Sequence, residues 1–352
     1  MEDEGLRVGV RARLEWAPEQ DRVVAALELA VELAREDIAR YRRLSDPRYL
    51  GRAQAVLAPW WSSPRPPDEV LLLRATIRQA LHDFAGARVD LDALIARDPD
   101  SPQARLTRAV VATVTGDLAQ ASADCAAVDG ELIRAACAAP LGWSSGDPDS
   151  AYARIDRALR DAREAPPAVL AWAHAAAGDA ARQAGDDVAA EAHLRAALAA
   201  IPDDGYALGA LADLLLDRGR AVEVIGLLVD HVGADNLLLR LAIAERATDA
   251  AAAAEHAALL RARYAGLLER GDRTHLREQA RFALAIDGDA TGALALARAG
   301  WALQHEPADV RIVLEAARAA DDPAGAAEVL TWLDAHDAKD AVIARLREEL
   351  AP

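Results

Sequence analysis

Trp172 and Asp179 stand seven residues apart, and Tyr206 and Asp213 repeat that spacing 34 residues further on. Seven residues make about two helical turns, so each pair shares one helix face. Ala175 and Gly209, both small, lie between the ring and the carboxylate, and Arg182 and Asp217 extend the face by a turn. Aromatic rings act as rigid anchors and attract cations over their faces, while carboxylates supply the opposing charge. The chemistry on offer is therefore recognition of a basic or amphipathic segment. The competing expectation is that Trp172 and Tyr206 pack between helices as core.

A second charged pattern reads as structural. Arg74 and Arg108 are 34 residues apart, and each is followed 16 residues later by an aspartate, Asp90 and Asp124. Partly buried charges need partners, so two salt bridges, Arg74–Asp90 and Arg108–Asp124, are expected. Arg240 lacks such an aspartate, because His256 stands at that position; it is expected to be free to act or solvated. Trp60 and Trp61, next to a Pro-rich stretch, are expected to staple the first helices or to form an exposed interaction patch.

Catalytic constellations are missing from the pattern. The eight histidines (82, 174, 193, 231, 256, 275, 305 and 336) show no HExxH spacing, and His275–Gln279 lacks the second histidine. The single lysine, Lys339, lies in Ala-Lys-Asp, which rules out a P-loop. No nucleophile elbow or Ser-His-Asp logic is present. No metal, no cofactor and no enzymatic activity are expected. Cys125 and Cys137 lack metal-ligand spacing; neighbouring antiparallel helices allow either a disulfide or two buried thiols.

The net charge of −17 over 352 residues opposes binding to a phosphate backbone, so no nucleic-acid partner is expected. No uncharged apolar window is long enough for a membrane helix. Met1-Glu2-Asp3-Glu4 is acidic with no apolar run behind it, unlike a signal peptide. The cytoplasm is the expected compartment; a periplasmic or exported location follows if the natural N-terminus is missing.

These residues must be positioned by helices. Alanine is about a quarter of the sequence and aromatic residues are 4%; alanine is the strongest helix former. Between breakers the chain divides into nine helix pairs: 21–44 with 45–59, 68–81 with 84–97, 102–114 with 118–128, 131–141 with 148–162, 167–183 with 188–200, 206–218 with 221–231, 234–246 with 249–269, 274–285 with 290–304, and 308–319 with 323–335. A last helix over 339–350 has a polar face of Arg345, Arg347, Glu348 and Glu349 and is expected to cap the array. Residues 1–20 are expected to be irregular, with Leu6, Val8 and Val10 alternating like a short extended segment. The expectation is an all-α solenoid domain over 21–337, a cap over 338–352, and the clearest repeats over 68–232.

Leu73-Arg74-Ala75, Asp83-Phe84, Ala87, Leu91, Leu94 and Asp98-Pro99 resemble one tetratricopeptide repeat. Thr107-Arg108-Ala109, Gly116-Asp117-Leu118, Ala121 and Cys125 resemble a second. Ala177-Gly178, Gly185-Asp186, Ala190, Leu194, Ala197 and Pro202 are similar to a third, and Leu211-Ala212, Gly219-Arg220 and Leu228 to a fourth. The resemblance implies a right-handed superhelix of about nine hairpins whose concave face is made by the first helix of each pair. It also implies a non-catalytic scaffold for a protein or peptide partner. On that geometry Trp172, Ala175, Asp179, Arg182, Tyr206, Gly209, Asp213 and Asp217 form an aromatic-walled groove with a carboxylate ladder and open space at its centre. The family's carboxylate-reading subgroup uses lysine and asparagine, and this chain has only Lys339 and Asn236. A structural subunit of an envelope or transport assembly, using the convex face or the ends, is the alternative; an enzyme framed by the solenoid is a remote one.

Overall fold

The computed structural model describes residues 19–44, 46–162, 164–270 and 274–350. The alternating run at Leu6–Val10 lies outside them. Every regular element among the described residues is helical, and the chain divides into two compact units, 1–104 and 105–352. The boundary between the two units falls between Ala104 and Arg105.

The first unit contains α1 (Glu19–Leu44), α2 (Arg48–Val56), α3 (Ala58–Trp61), α4 (Asp68–Ala80) and α5 (Phe84–Arg97). Its core joins Val31, Ala34 and Ile38 of α1 to Leu50, Leu57, Val70 and Ile77. The second unit begins within α6 (Pro102–Val114). It continues through α7 (Leu118–Ala126), α8 (Glu131–Ala138), α9 (Pro148–Asp161), α10 (Pro167–Gln183) and α11 (Asp187–Ala200). Then follow α12 (Gly205–Asp217), α13 (Ala221–Leu228), α14 (Asp235–Ala247), α15 (Ala253–Glu269) and α16 (Leu276–Phe282). The last four are α17 (Ala290–Trp301), α18 (Pro307–Ala319), α19 (Ala327–Ala335) and α20 (Ala341–Leu350). No helix among the described residues is long and apolar enough to cross a membrane.

One local device makes the hairpins. Gly116 and Gly185 end their helices in the left-handed region, at φ 80° and 85°, which glycine enters without a Cβ clash. The next residue is an aspartate. Its N–H donates back to the helix just ended, Asp117 to the Ala112 carbonyl at 2.8 Å and Asp186 to the Ala181 carbonyl at 2.9 Å. Its carboxylate then caps the helix about to start, accepting from the N–H of Gln120 at 3.2 Å or of Ala189 at 2.9 Å. A Gly-Asp dipeptide is therefore both stop and start signal. Where the two helices cross, Gly178 lets them approach: a Cβ there would lie 2.8 Å from Leu194 Cγ.

After α16 the backbone widens into a π-helical turn over Ala283–Asp287, which adds a residue to the helix.

Within the second unit the last helices fold back on the first. The His305 N–H donates to the Val114 carbonyl at 2.8 Å, and the Lys339 N–H to the Trp143 carbonyl at 2.7 Å. Trp143, in the α8–α9 connection, is 2% exposed and belongs to the core built by Val310, Val313, Leu333, Ile343 and Leu346. Its ring centroid is 5.4 Å from that of Trp332. Helix α20 buries Ile343 and Leu346 in this core while Arg345 and Glu348 stay exposed.

Candidate partner-binding face

Helix α10 carries Trp172, Ala175, Asp179 and Arg182; α12 carries Tyr206, Gly209, Asp213 and Asp217. Leu208, Leu211, Leu214 and Leu215 bury the opposite stripe of α12, which turns Tyr206 and Asp213 to the other side. Trp172 is 37% exposed and Tyr206 62% exposed, so neither ring is a core residue. The Tyr206 hydroxyl donates to the Asp179 carboxylate, which joins the two helices across the face.

The partner of each aspartate follows a rule. Tyr206 lies 27 residues after Asp179, and Arg240 lies 27 residues after Asp213; Arg240 Nη2 donates to Asp213 Oδ2 at 2.6 Å. Positions 172, 206 and 240 form one column of the 34-residue register: Trp, Tyr, Arg. Each aspartate is met by the column residue of the next repeat. Arg240 is therefore neither free nor simply solvated. Its Nε donates to the Gly209 carbonyl at 3.1 Å and its Nη1 to the Asn236 carbonyl at 2.8 Å. His256, which replaces the expected aspartate, pairs with Glu245 at 2.8 Å.

This arrangement corrects the expected open centre and free carboxylate ladder. A Cβ on Gly209 would lie 3.5 Å from Arg240 Nε, so the guanidinium fills the space. Asp213 also accepts from Arg281 Nη1 at 2.5 Å. Asp217 holds Arg311 through two bonds, 2.7 and 2.6 Å, and lies 3.9 Å from Arg182. The physical reason is desolvation: a carboxylate partly withdrawn from water draws in a cation, and arginine's planar fork suits it.

Electrostatics separates the aspartates. Burial pushes the Asp179 carboxyl up to about 6, against the opposing pull of Tyr206 and Arg182. Burial also acts to raise Asp213, but Arg240 and Arg281 overcome it and hold that carboxyl well below the ordinary range. The neighbouring charge of Asp179, then burial, drive the Tyr206 hydroxyl well above its usual value, so it stays a donor.

Beside the arginine pairs lies a cleft of about 410 Å³. Leu216, Val222, Ile243 and Leu284 give it apolar walls, and Asp217, Arg281, Arg311 and Glu315 give it a charged one.

The remaining residues singled out by sequence fall elsewhere. Arg74 grips Asp90 through two bonds, 2.8 and 2.6 Å, and Arg108 grips Asp124 likewise at 2.8 and 2.7 Å. Asp90 and Asp124 are 3% and 0% exposed, which is the setting of a structural pair. Trp60 and Trp61 pack partly buried on the first core, and the Trp61 carbonyl accepts from Arg74. Cys125 and Cys137 are joined as a disulfide, with Cα atoms 5.4 Å apart. Among the described residues no group of three or more His, Cys, Asp or Glu could hold a metal. His174 and His193 meet Nδ1 to Nδ1 at 3.0 Å. Their ring centroids are 5.3 Å apart, so the nitrogens point at each other as in an N–H···N bond rather than converging on a third atom.

Arg240 was within reach of sequence reasoning, since one more step of the register finds it. Arg281 stands two register steps, 68 residues, beyond Asp213, whereas Arg311 lies 94 residues from Asp217 and off the register.

The repeated stop-and-start turn, the small crossing residue and the 34-residue column decide the architecture. The fold is a tetratricopeptide-like helical repeat. No family model and no curated protein matches the chain. Among solved structures it is similar to PilW, a widely conserved type IV pilus biogenesis factor, at 22% identity and a TM-score of 0.44, over 56% of this chain and 93% of that one. It is also similar to a tetratricopeptide repeat protein from Parabacteroides merdae, at 12% identity and 0.39, over 83% and 98% of the two chains. A third is the human IFIT1 dimer with m7Gppp-AAAA, at 12% identity and 0.45, over 82% and 76%. The tetratricopeptide-like repeat here rests on the hairpins of this chain itself.

Proposed function

We propose that the protein is a non-catalytic interaction scaffold that receives a basic or amphipathic polypeptide segment on the face of α10 and α12. The observation that carries this reading is the pair of exposed rings, Trp172 and Tyr206, with Asp179 bound by the Tyr206 hydroxyl and two turns along α10 from Trp172. Solvent-exposed aromatics on a rigid helix face are the residues most often found anchoring a partner. Asp179 is also the carboxylate of the face that accepts from a neutral hydroxyl, whereas Asp213 and Asp217 are met by arginines. The binding determinant therefore narrows from a ladder of carboxylates to one aspartate on the face that carries the two rings. A partner cation placed there would gain cation–π contact and a carboxylate together.

Affinity capture with the intact chain as bait tests the reading. A polypeptide retained by wild type and reduced at least about tenfold by Trp172→Ala with Asp179→Asn is expected, the scale of losing one anchor. Equal recovery by the variant would overturn it.

A further inference from the structure

We propose that the His174–His193 contact is a proton-operated latch on the α10–α11 hairpin: it holds while at most one of the two rings is charged and opens when both are. The rings meet across the hairpin, His174 from α10 and His193 from α11, Nδ1 to Nδ1 at 3.0 Å. A neutral imidazole has one N–H and one lone pair, so the contact needs opposite tautomers. Asp156 of α9 sets which is which. Its Oδ1 lies 3.7 Å from His193 Nε2 and favours a hydrogen there. His193 Nδ1 is then the acceptor, and His174 Nδ1–H is the donor.

The next two protons have different consequences. The first enters at His174 Nε2, which carries a free lone pair; the bond survives and gains a charged donor. The second finds His193 Nδ1, the acceptor itself. It removes the bond and sets two cations against each other, with ring centroids 5.3 Å apart. Little nearby offsets that charge. Asp156 is already held by Arg160, and Tyr152 presents a neutral ring edge to His193 at 5.8 Å. Asp186, in the turn, attracts the His193 charge but is engaged in capping α11. Helices α8 and α12 pack on the hairpin through Leu132, Ala136, Ala207 and Leu208, which do not titrate. Burial, and then the neighbouring ring, lower the pKa of His174; burial lowers that of His193 against the pull of Asp156, with Arg160 adding to it. The unfolded chain takes both protons near about pH 6.5. Below that value it binds more protons than the folded chain, so stability falls as pH falls. Asp179, five residues further along α10, acts in the opposite direction.

The test compares the full-length chain with and without His193→Asn, both carrying Asp179→Asn so that the opposing titration is absent. The asparagine Oδ1 accepts from His174 Nδ1–H where the imidazole did, and it takes no proton. In denaturant unfolding from about pH 7.5 to about pH 5, the unfolding constant of the chain that keeps His193 should rise at least about tenfold more than the variant's, the effect of one proton site displaced by one unit. At the acid end, protection from hydrogen exchange over 167–200 should fall with His193 present and hold in the variant. His231→Asn, at a histidine outside the pair, should leave the pH profile unchanged. If His193→Asn does not fold, His174→Asn, whose amide N–H can donate to His193 Nδ1, is expected to flatten the profile in the same way. Parallel pH profiles with and without the pair overturn the proposal. So does native protection over 167–200 at a pH where ring nitrogen chemical shifts show both histidines charged.

Discussion

Asp179 and Asp213 occupy the same place in successive repeats and have opposite electrostatics. The difference is the residue one repeat later. Tyrosine gives Asp179 a neutral donor, so burial prevails and its carboxyl rises to about 6. Arginine gives Asp213 a counter-charge, and the carboxyl falls. This has a consequence for stability. The unfolded Asp179 loses its proton near pH 4, while the folded one keeps it to about pH 6. Between those values the folded state binds more protons, so its stability decreases as pH rises through the window. Asp179→Asn retains an oxygen for the Tyr206 hydroxyl and removes the titration. Melting curves should show the variant gaining on wild type between pH 4 and pH 8, by at most about 3 kcal/mol for a shift of roughly two units. Parallel pH profiles for the two proteins would contradict the assignment.

At the scale of the element, the hairpin depends on its left-handed stop. Gly185 holds φ 85°, and a Cβ there would also come within 3.3 Å of the Ala341 Cβ. Gly185→Ala should cost about 1–2 kcal/mol in denaturant unfolding. Gly51 lies inside α2 with nothing within 4 Å of where its Cβ would be. There the same substitution should stabilise by about 0.5–1 kcal/mol. Two changes of equal sign would show that helix propensity alone governs both sites. The stops were legible where the residue is glycine, as at Gly116-Asp117 and Gly185-Asp186, because few residues tolerate that backbone. They were less legible at His82, Asp249 and Asp321, which adopt φ 59°, 52° and 52° without the glycine signal. The site was readable to the same depth. The 34-residue register joins Trp172 to Tyr206 and Asp179 to Asp213, but a register describes neighbours in sequence. It puts Arg281 in the Asp213 column two steps on without saying that the two touch, and it carries no term for Arg311, 94 residues from Asp217.

At the scale of the whole chain, that meeting separates an ordered array of hairpins from a site. A one-dimensional stack couples each repeat only to its neighbours, and the second unit adds contacts that skip most of the stack. Trp143 is their pivot: it belongs by sequence to the α8–α9 connection and by packing to the core of α18, α19 and α20. If those contacts only decorated an otherwise independent stack, removing the ring would loosen its local hairpin and leave distant helices unaffected. If they hold Arg311 and Arg281 against α12, the loss should propagate. Trp143→Ala should destabilise the second unit by about 3–5 kcal/mol, the range for deleting a buried tryptophan. Hydrogen exchange should then accelerate in α18 and α20, more than 150 residues away in sequence, as well as around α9. Exchange confined to α8 and α9 would show that the fold-back has no energetic role and that the arginines reach α12 by their own repeats' packing alone.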